Sequence, residues 1–221
     1  DTVAGMTHAA PSLSVAIREV GLRDGLQSIA SILPTQHKLE WIRDAYAAGL
    51  REIEVGSFVP AKLLPQLADT AELVAYAKTL PGLTVSVLVP NLKGAQRALE
   101  VGAHALLVPL SASHAHSLAN LRKTPDDVVQ EIARIRDARD AAGSSCRIEV
   151  GMSTSFGCTI QGRVETSEVL RLLRAVLDAG VDSVGLADTV GYADPLRVTR
   201  LFEECFGVAG ARCGGFVPIW S

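Results

Sequence analysis

Ile17-Arg18-Glu19-Val20-Gly21-Leu22-Arg23-Asp24-Gly25-Leu26-Gln27-Ser28 runs from a strand-like segment straight into an Arg-Asp pair set in a glycine-flanked turn. A parallel α/β protein keeps its chemistry in such places, in the loops that follow its strands. A carboxylate beside a guanidinium offers one ligand for a hard cation and one fixed positive charge for a developing anion. Arg23 and Asp24 together therefore point to metal-assisted carbanion or enolate chemistry.

Outward from that segment, short β-branched runs alternate with longer amphipathic ones, the pattern of repeated βα units around a parallel sheet. The runs predict strands near Val15–Val20, Glu52–Val55, Thr84–Leu88, Ala105–Val108, Arg147–Val150 and Ser183–Leu186. Helices are expected over Thr35–Ala48, Leu63–Thr79, Leu92–Val101, Pro125–Ala142, Ser167–Ala179 and Pro195–Phe206, giving six βα units. Several of these helices open on Thr, Asn, Ser or Asp with Pro in the first turn. Gly49, Gly102, Gly143 and Gly180 follow helix ends, where a left-handed closing residue is easiest for glycine.

Polar residues gather just after the strands: Arg23, Asp24 and Gln27; Glu54 and Ser57; Asn91; Ser111 and Ser113; Ser153 and Thr154; Asp188 and Thr189. This is what the C-terminal rim of an α/β TIM (β/α)8 barrel requires, since side chains at successive strand ends converge on one pocket. An open doubly wound sheet competes, but no G-x-G-x-x-G turn follows the first strand and no G-K-[ST] phosphate loop occurs.

A chain of 221 residues fits one such domain, and no linker divides it. Residues 1–14 are expected to form an irregular extension and residues 15–221 a single catalytic domain. With 21 Lys+Arg against 24 Asp+Glu and no long basic run, nucleic acid is an unfavourable partner. No apolar run approaches the roughly 20 residues of a spanning helix, so no membrane is expected either. Cys146, Cys158, Cys205 and Cys213 form no C-x-x-C pair, which reads as reduced thiols in a cytoplasmic protein. The first fourteen residues lack a basic n-region and an apolar h-region, and Met6 is a candidate natural start.

Four phrases now carry a family resemblance: Val20-Gly21-Leu22-Arg23-Asp24-Gly25-Leu26-Gln27, Glu54-Val55-Gly56-Ser57-Phe58-Val59, Val89-Pro90-Asn91-Leu92-Lys93-Gly94 and Gly185-Leu186-Ala187-Asp188-Thr189-Val190-Gly191. In this order and spacing they resemble the 3-hydroxy-3-methylglutaryl-CoA lyases, metal-dependent TIM-barrel enzymes with an Asp-Arg-Glu signature. The resemblance covers about Ile17 to Phe206. It implies cleavage of 3-hydroxy-3-methylglutaryl-CoA to acetyl-CoA and acetoacetate with a divalent cation, Mg²⁺ or Mn²⁺. It also implies Asp24 as metal ligand, joined by two histidines and an asparagine from later strands, and Arg23 as the clamp on the thioester enolate. Asp188 is expected to be catalytic, with Gln27, Glu54, Ser57, Asn91 and Thr189 binding substrate. An acyl-CoA partner and a homo-oligomer complete the expectation.

Each assignment has a plainer rival. Arg23 and Asp24 could form an ordinary surface ion pair, and Gln27, Ser57 and Asn91 could serve their own loops. Glu54 ends a buried strand and needs a partner, either Arg23 or metal-bound water, so its role could be support. Asp188 could cap a helix in the loop leading to Pro195. His114 and His116 spell H-x-H, but they follow the fourth strand in loop or helix start, and are expected to face solvent near the CoA entrance. His37 reads as a helix-surface residue, His104 as a strand-edge residue, and Cys158 as structural.

The sequence also departs from the family pattern. After Gly214-Gly215 it reads Phe216-Val217-Pro218-Ile219-Trp220-Ser221, where the family continues a seventh strand into its H-x-H ligands. A C-terminally truncated barrel of about six units with open sheet edges is therefore expected. Leu22 replaces a frequent proline, and Ser28-Ile29 a polar Asn-Glu pair. Two alternatives follow: a sibling lyase for another branched 3-hydroxyacyl-CoA, or an inactive truncated binding or interaction form.

Overall fold

The computed structural model describes residues 16–210 and the backbone of residues 216–219. The extension expected over residues 1–14, Val15 and Cys213 lie outside the described residues. Every predicted strand forms, and all are parallel: β1 (Arg18–Glu19), β2 (Glu52–Ser57), β3 (Thr84–Leu88), β4 (Ala105–Ser111), β5 (Arg147–Ser153) and β6 (Ser183–Ala187). A further strand, β7 (Phe216–Ile219), pairs with β6, so the sheet runs in chain order from β1 to β7. The helices are α1 (Thr35–Ala47), α2 (Thr70–Ala77), α3 (Leu92–Val101), α4 (His114–Leu121), α5 (Pro125–Ala141), α6 (Thr166–Asp178) and α7 (Pro195–Ala209). Sequential parallel strands with helical crossovers are the build of a TIM barrel, here incomplete.

Strand periodicity separates the two faces of the sheet. On β5, Ile148, Val150 and Met152 are fully buried and turn one way, while Glu149 turns the other and meets Arg18 of β1 at 2.6 Å. Since β1 and β5 are not neighbours in the sheet, that ion pair crosses the concave side, which marks Glu149 as lumen-facing. Register carries the assignment upward: Leu107 pairs with Glu149, Pro109 with Gly151 and Ser111 with Ser153, so Ser111 and Ser153 also face the lumen, at its C-terminal mouth. On the convex side, Leu106, Val108 and Leu110 of β4 share the buried core with Val128, Ile132 and Ile135 of α5 and with Val169, Leu172 and Leu173 of α6.

Helix ends follow local chemistry. Thr124 and Asp127 form a capping box at α5 with Pro125 in its first turn. Asn91 caps α3 through the Gly94 N–H, and Gly102 closes it at φ 76°, a left-handed conformation that glycine adopts without a Cβ clash.

Two expectations need correction. β1 ends at Glu19 rather than Val20 because the Val20 carbonyl accepts the N–H groups of Arg23 and Asp24, at 3.0 and 2.8 Å, folding Gly21–Gly25 into a π turn. The helix expected over Leu63–Thr79 is broken into a 3-10 turn, Pro65–Leu67, and α2. Its continuity fails because Lys38 Nζ donates to the Gln66 carbonyl and Thr70 Oγ1 to the Leu67 carbonyl. At His114 a helix does start, one of the two outcomes expected there: α4 opens where the Ser113 side chain accepts the His116 N–H.

Candidate active site

The lumen carries two charged layers. The lower one joins Arg18 to Glu52 at 2.7 Å and to Glu149 at 2.6 Å, with Arg147 on the same two carboxylates at 3.3 Å. It ties β1, β2 and β5 together, and sequence reasoning missed it because no local pattern relates residues so far apart along the chain.

The upper layer is the predicted pair and its partner. Arg23 Nε donates to Glu54 Oε1 at 2.6 Å, Nη2 to Oε2 at 3.3 Å, and Nη1 to Asp24 Oδ1 at 2.8 Å. Glu54 is 1% exposed, the Arg23 side chain 13% and the Asp24 side chain 47%. Of the two partners weighed for Glu54, Arg23 is therefore the one observed. Burial pushes the Glu54 carboxyl above its ordinary range, and the charge and hydrogen bonds of Arg23 offset this only in part. The Arg23 guanidinium is thus locked by a two-point contact to a buried carboxylate, which fixes its plane as well as its charge. A β-bulge in β2 between Glu54 and Gly56 shifts the register, so that Gly56 opposes Val87.

The other predicted residues are arranged as follows. Gln27 is exposed. Ser57 is buried and its Oγ accepts the Val59 N–H at 3.2 Å. Asn91 Oδ1 is occupied by the α3 cap. Asp188 accepts the N–H groups of Tyr192 and Ala193 on separate oxygens, at 2.9 and 2.8 Å, while the α7 cap is Asp194. The loop after β6 is strapped further by Arg197, which donates to the carbonyls of Tyr192 and Phe156. Thr189 Oγ1 accepts the Thr154 N–H at 2.8 Å. Arg23, Asp24 and Glu54 are thus in direct contact, and Asp188 and Thr189 follow β6, with Thr189 bonded to the loop after β5.

Of the histidines, His37 and His104 are exposed, and His104 Nδ1 accepts the Val85 N–H. His116 is solvent-facing only in part: it is half-buried, with Nδ1 3.0 Å from Ser111 Oγ, because the first turn of α4 lies against the end of β4. His114 is exposed, as expected. Cys158 is buried, and its Sγ accepts the Ile160 and Gln161 N–H groups at 3.3 and 3.4 Å. Burial raises its pKa, but hydrogen bonds from Ser113 and those two amides outweigh the burial and lower it overall.

The fit to a divalent cation is incomplete. Among the described residues no group of three or more His, Cys, Asp or Glu side chains is placed to hold a metal ion. Asp24, half-exposed beside Arg23, is the one carboxylate of the expected ligand set among them. No helix among the described residues is long and apolar enough to cross a membrane.

A family model described as HMGL-like matches residues 14–208. The chain is similar to the hydroxymethylglutaryl-CoA lyase YngG of Bacillus subtilis, 34% identical over 189 residues that cover 86% of this chain and 62% of that protein. It is also similar to the 3-hydroxy-3-isohexenylglutaryl-CoA/hydroxymethylglutaryl-CoA lyase of Pseudomonas aeruginosa, 36% identical with the same coverage, 86% and 62%. Among solved structures, an HMG-CoA lyase from Acinetobacter baumannii in complex with coenzyme A and 3-methylmalate superposes with a TM-score of 0.81 at 34% identity, covering 87% of this chain and 62% of that one. The chain therefore spans less than two thirds of the length of these relatives.

Proposed function

Because this chain belongs to the HMGL-like family, we propose that it performs the carbon-carbon cleavage of 3-hydroxy-3-methylglutaryl-CoA to acetyl-CoA and acetoacetate. The observation that carries the reading is the Arg23–Glu54 pair, a guanidinium held by a buried carboxylate at the strand-end mouth of a barrel. In a retro-Claisen cleavage the tertiary alcohol loses its proton and the bond between C2 and C3 breaks. Its electron pair is left on the thioester as an enolate. A rigid cation over the thioester oxygen stabilises that developing charge more than it stabilises the ground state, which is how such a group accelerates a reaction.

Asp188 is the second proposed catalytic group, its carboxylate oriented by two backbone N–H groups. Gln27 and Thr189 would contact substrate directly. Ser57 and Asn91 already accept one backbone N–H each, so the hydroxyl hydrogen and the amide N–H are what they would offer. Glu54 acts in this scheme by holding Arg23. A divalent cation, Mg²⁺ or Mn²⁺, belongs to the proposal through the family, with Asp24 as one ligand; the described residues do not complete its site. An acyl-CoA partner, a homo-oligomer and a cytoplasmic location are part of the same reading.

A second reading is favoured by one observation. Ile29, Ile32 and Leu63 are 45%, 60% and 65% exposed on the loops after β1 and β2. The Ile29 loop is pinned to the second by Gln66 Nε2, which donates to the Ile29 carbonyl. An apolar rim on the Arg23 side of the mouth would suit a sibling lyase acting on a longer branched acyl chain. Incubating the protein with Mg²⁺ and a panel of branched 3-hydroxyacyl-CoA thioesters, and measuring the ketone released, tests both readings. Preference for the methyl compound supports the first and preference for a longer branch the second. A folded protein that turns over neither overturns both in favour of a binding form.

A further inference from the structure

A hydrogen-bond network around the end of β4 determines which nitrogen of His116 carries its proton. Thr154 Oγ1 donates to the Ser153 carbonyl at 2.6 Å, which uses its one hydroxyl hydrogen, and it accepts the Ser113 N–H at 2.9 Å. Ser111 Oγ lies 2.8 Å from Thr154 Oγ1, and with the Thr154 hydrogen committed elsewhere Ser111 must be the donor of that pair. Ser111 then has only lone pairs left for His116, so Nδ1 of His116, 3.0 Å away, must be the protonated nitrogen. Nε2 is left with its lone pair. It makes no hydrogen bond with the described residues and is not among the buried polar atoms left without a partner, so it reaches the accessible surface.

The network is built rather than incidental. Thr154 has φ 57°, a left-handed conformation that is strained for a β-branched residue, and it is fully buried at the C-terminal end of β5. Its contacts join the ends of β4, β5 and the loop after β6 through Ser111, Ser113 and Thr189. Ser111 faces the lumen by register, so the imidazole sits on the rim of the same mouth that holds Arg23. Burial also lowers the pKa of His116, which favours the neutral ring that the network requires.

We propose that His116 is a further substrate-binding residue, whose Nε2 lone pair accepts a hydrogen bond from a neutral donor of the acyl-CoA, a hydroxyl or an amide N–H. This rests on the acyl-CoA reading above. An outward lone pair repels carboxylate and phosphate oxygens, so the phosphates of the coenzyme and the carboxylate of the acyl group are not its ligands. The donors that remain are the amide N–H and hydroxyl groups of the pantetheine arm, the adenine amino and ribose hydroxyl groups, and the tertiary hydroxyl of the acyl group.

The test uses protein labelled with ¹⁵N in its histidines, with the His116 signals identified by their loss in His116→Phe. Long-range ¹H–¹⁵N correlation at neutral pH is expected to show the Nδ1–H tautomer; an Nε2–H or averaged ring overturns the inference. Titration with coenzyme A and with hydroxymethylglutaryl-CoA, binding being followed in parallel by calorimetry, is expected to move the Nε2 resonance. A shift with coenzyme A places the donor on the coenzyme, and a shift with the acyl thioester alone places it on the tertiary hydroxyl. In His116→Phe the affinity should fall about tenfold, the value of one typical hydrogen bond. If that variant does not fold, Ser111→Ala should free the ring and average the two tautomers. Binding that leaves Nε2 unmoved overturns this inference alone, whereas failure to bind either compound overturns the acyl-CoA reading with it.

Discussion

Replacing Arg23 with Met would strand Glu54, and the structure sets both the size and the pH dependence of the result. Glu54 is 1% exposed and takes two hydrogen bonds from Arg23. Removing one partner of a buried ion pair costs about 3–5 kcal/mol. The more distant field of Arg18 remains and the repulsion from Asp24 is small, which places the expectation near the lower end, about 3 kcal/mol. For a chain of this size that corresponds to a fall in Tm of about 6–12 °C.

Glu54 already has a pKa raised by burial, and it rises further without the guanidinium. A carboxyl whose folded-state pKa lies above its unfolded value destabilises fully above the folded pKa. The penalty fades as pH falls through the folded pKa toward the unfolded one. The deficit of Arg23→Met, followed by thermal and urea denaturation across that range, should therefore shrink on acidification. Glu54→Gln avoids the buried charge and keeps an acceptor for Nε, so it should cost only about 1 kcal/mol. The double variant should be more stable than the sum of the two single effects. An Arg23→Met protein as stable as its parent, or a deficit flat with pH, would show that Glu54 does not depend on Arg23 for its charge.

Other consequences follow from single contacts. Lys38, 1% exposed, donates to Asp69 and to the Gln66 carbonyl, so Lys38→Ala should destabilise by about 3 kcal/mol in urea denaturation. Burial pushes the Cys146 and Cys205 thiols up to about 12, so iodoacetamide at pH 8 followed by peptide mass spectrometry should leave both unmodified until the protein unfolds. The Thr124 hydrogen bonds hold the Asp127 carboxyl below its usual range, so its contribution is present above the unfolded pKa and is lost as pH falls through the folded one. Amide protection factors in the first turn of α5, taken relative to intrinsic exchange at each pH, should fall in that acid window, and Asp127→Ala should abolish the change.

The fold was legible because the βα rhythm is written locally. Strand periodicity, caps such as Asn91 and Thr124, and closing glycines such as Gly102 act within a few residues of themselves. What escaped depended on contacts across the chain. Lys38 diverts a carbonyl from the expected helix at Leu63–Thr79, and Arg18 finds Glu149 across the lumen. In the site, Arg23, Asp24 and Glu54 were readable as a charged cluster at strand ends. The inward turn of His116 was not, because it depends on Ser111 and on a strained Thr154 that β5 supplies 43 residues later. Asn91, Ser57 and Asp188 show the opposite case: residues that stand at strand ends, as a pocket requires, and whose oxygens are also bound to nearby backbone N–H groups.

In the proposed function, Arg23 stabilises an enolate formed by carbon-carbon cleavage. The most direct measurement is mass-spectrometric quantification of both products from ¹³C-labelled hydroxymethylglutaryl-CoA with Mg²⁺ or Mn²⁺, for the parent protein and for Arg23→Lys. Acetyl-CoA and acetoacetate are expected in equal amounts, with a loss of about 10²–10³-fold in rate when the planar fork is replaced by an ammonium. A folded parent that binds the thioester and releases neither product, or an Arg23→Lys protein that cleaves it as fast as the parent, would contradict that proposal.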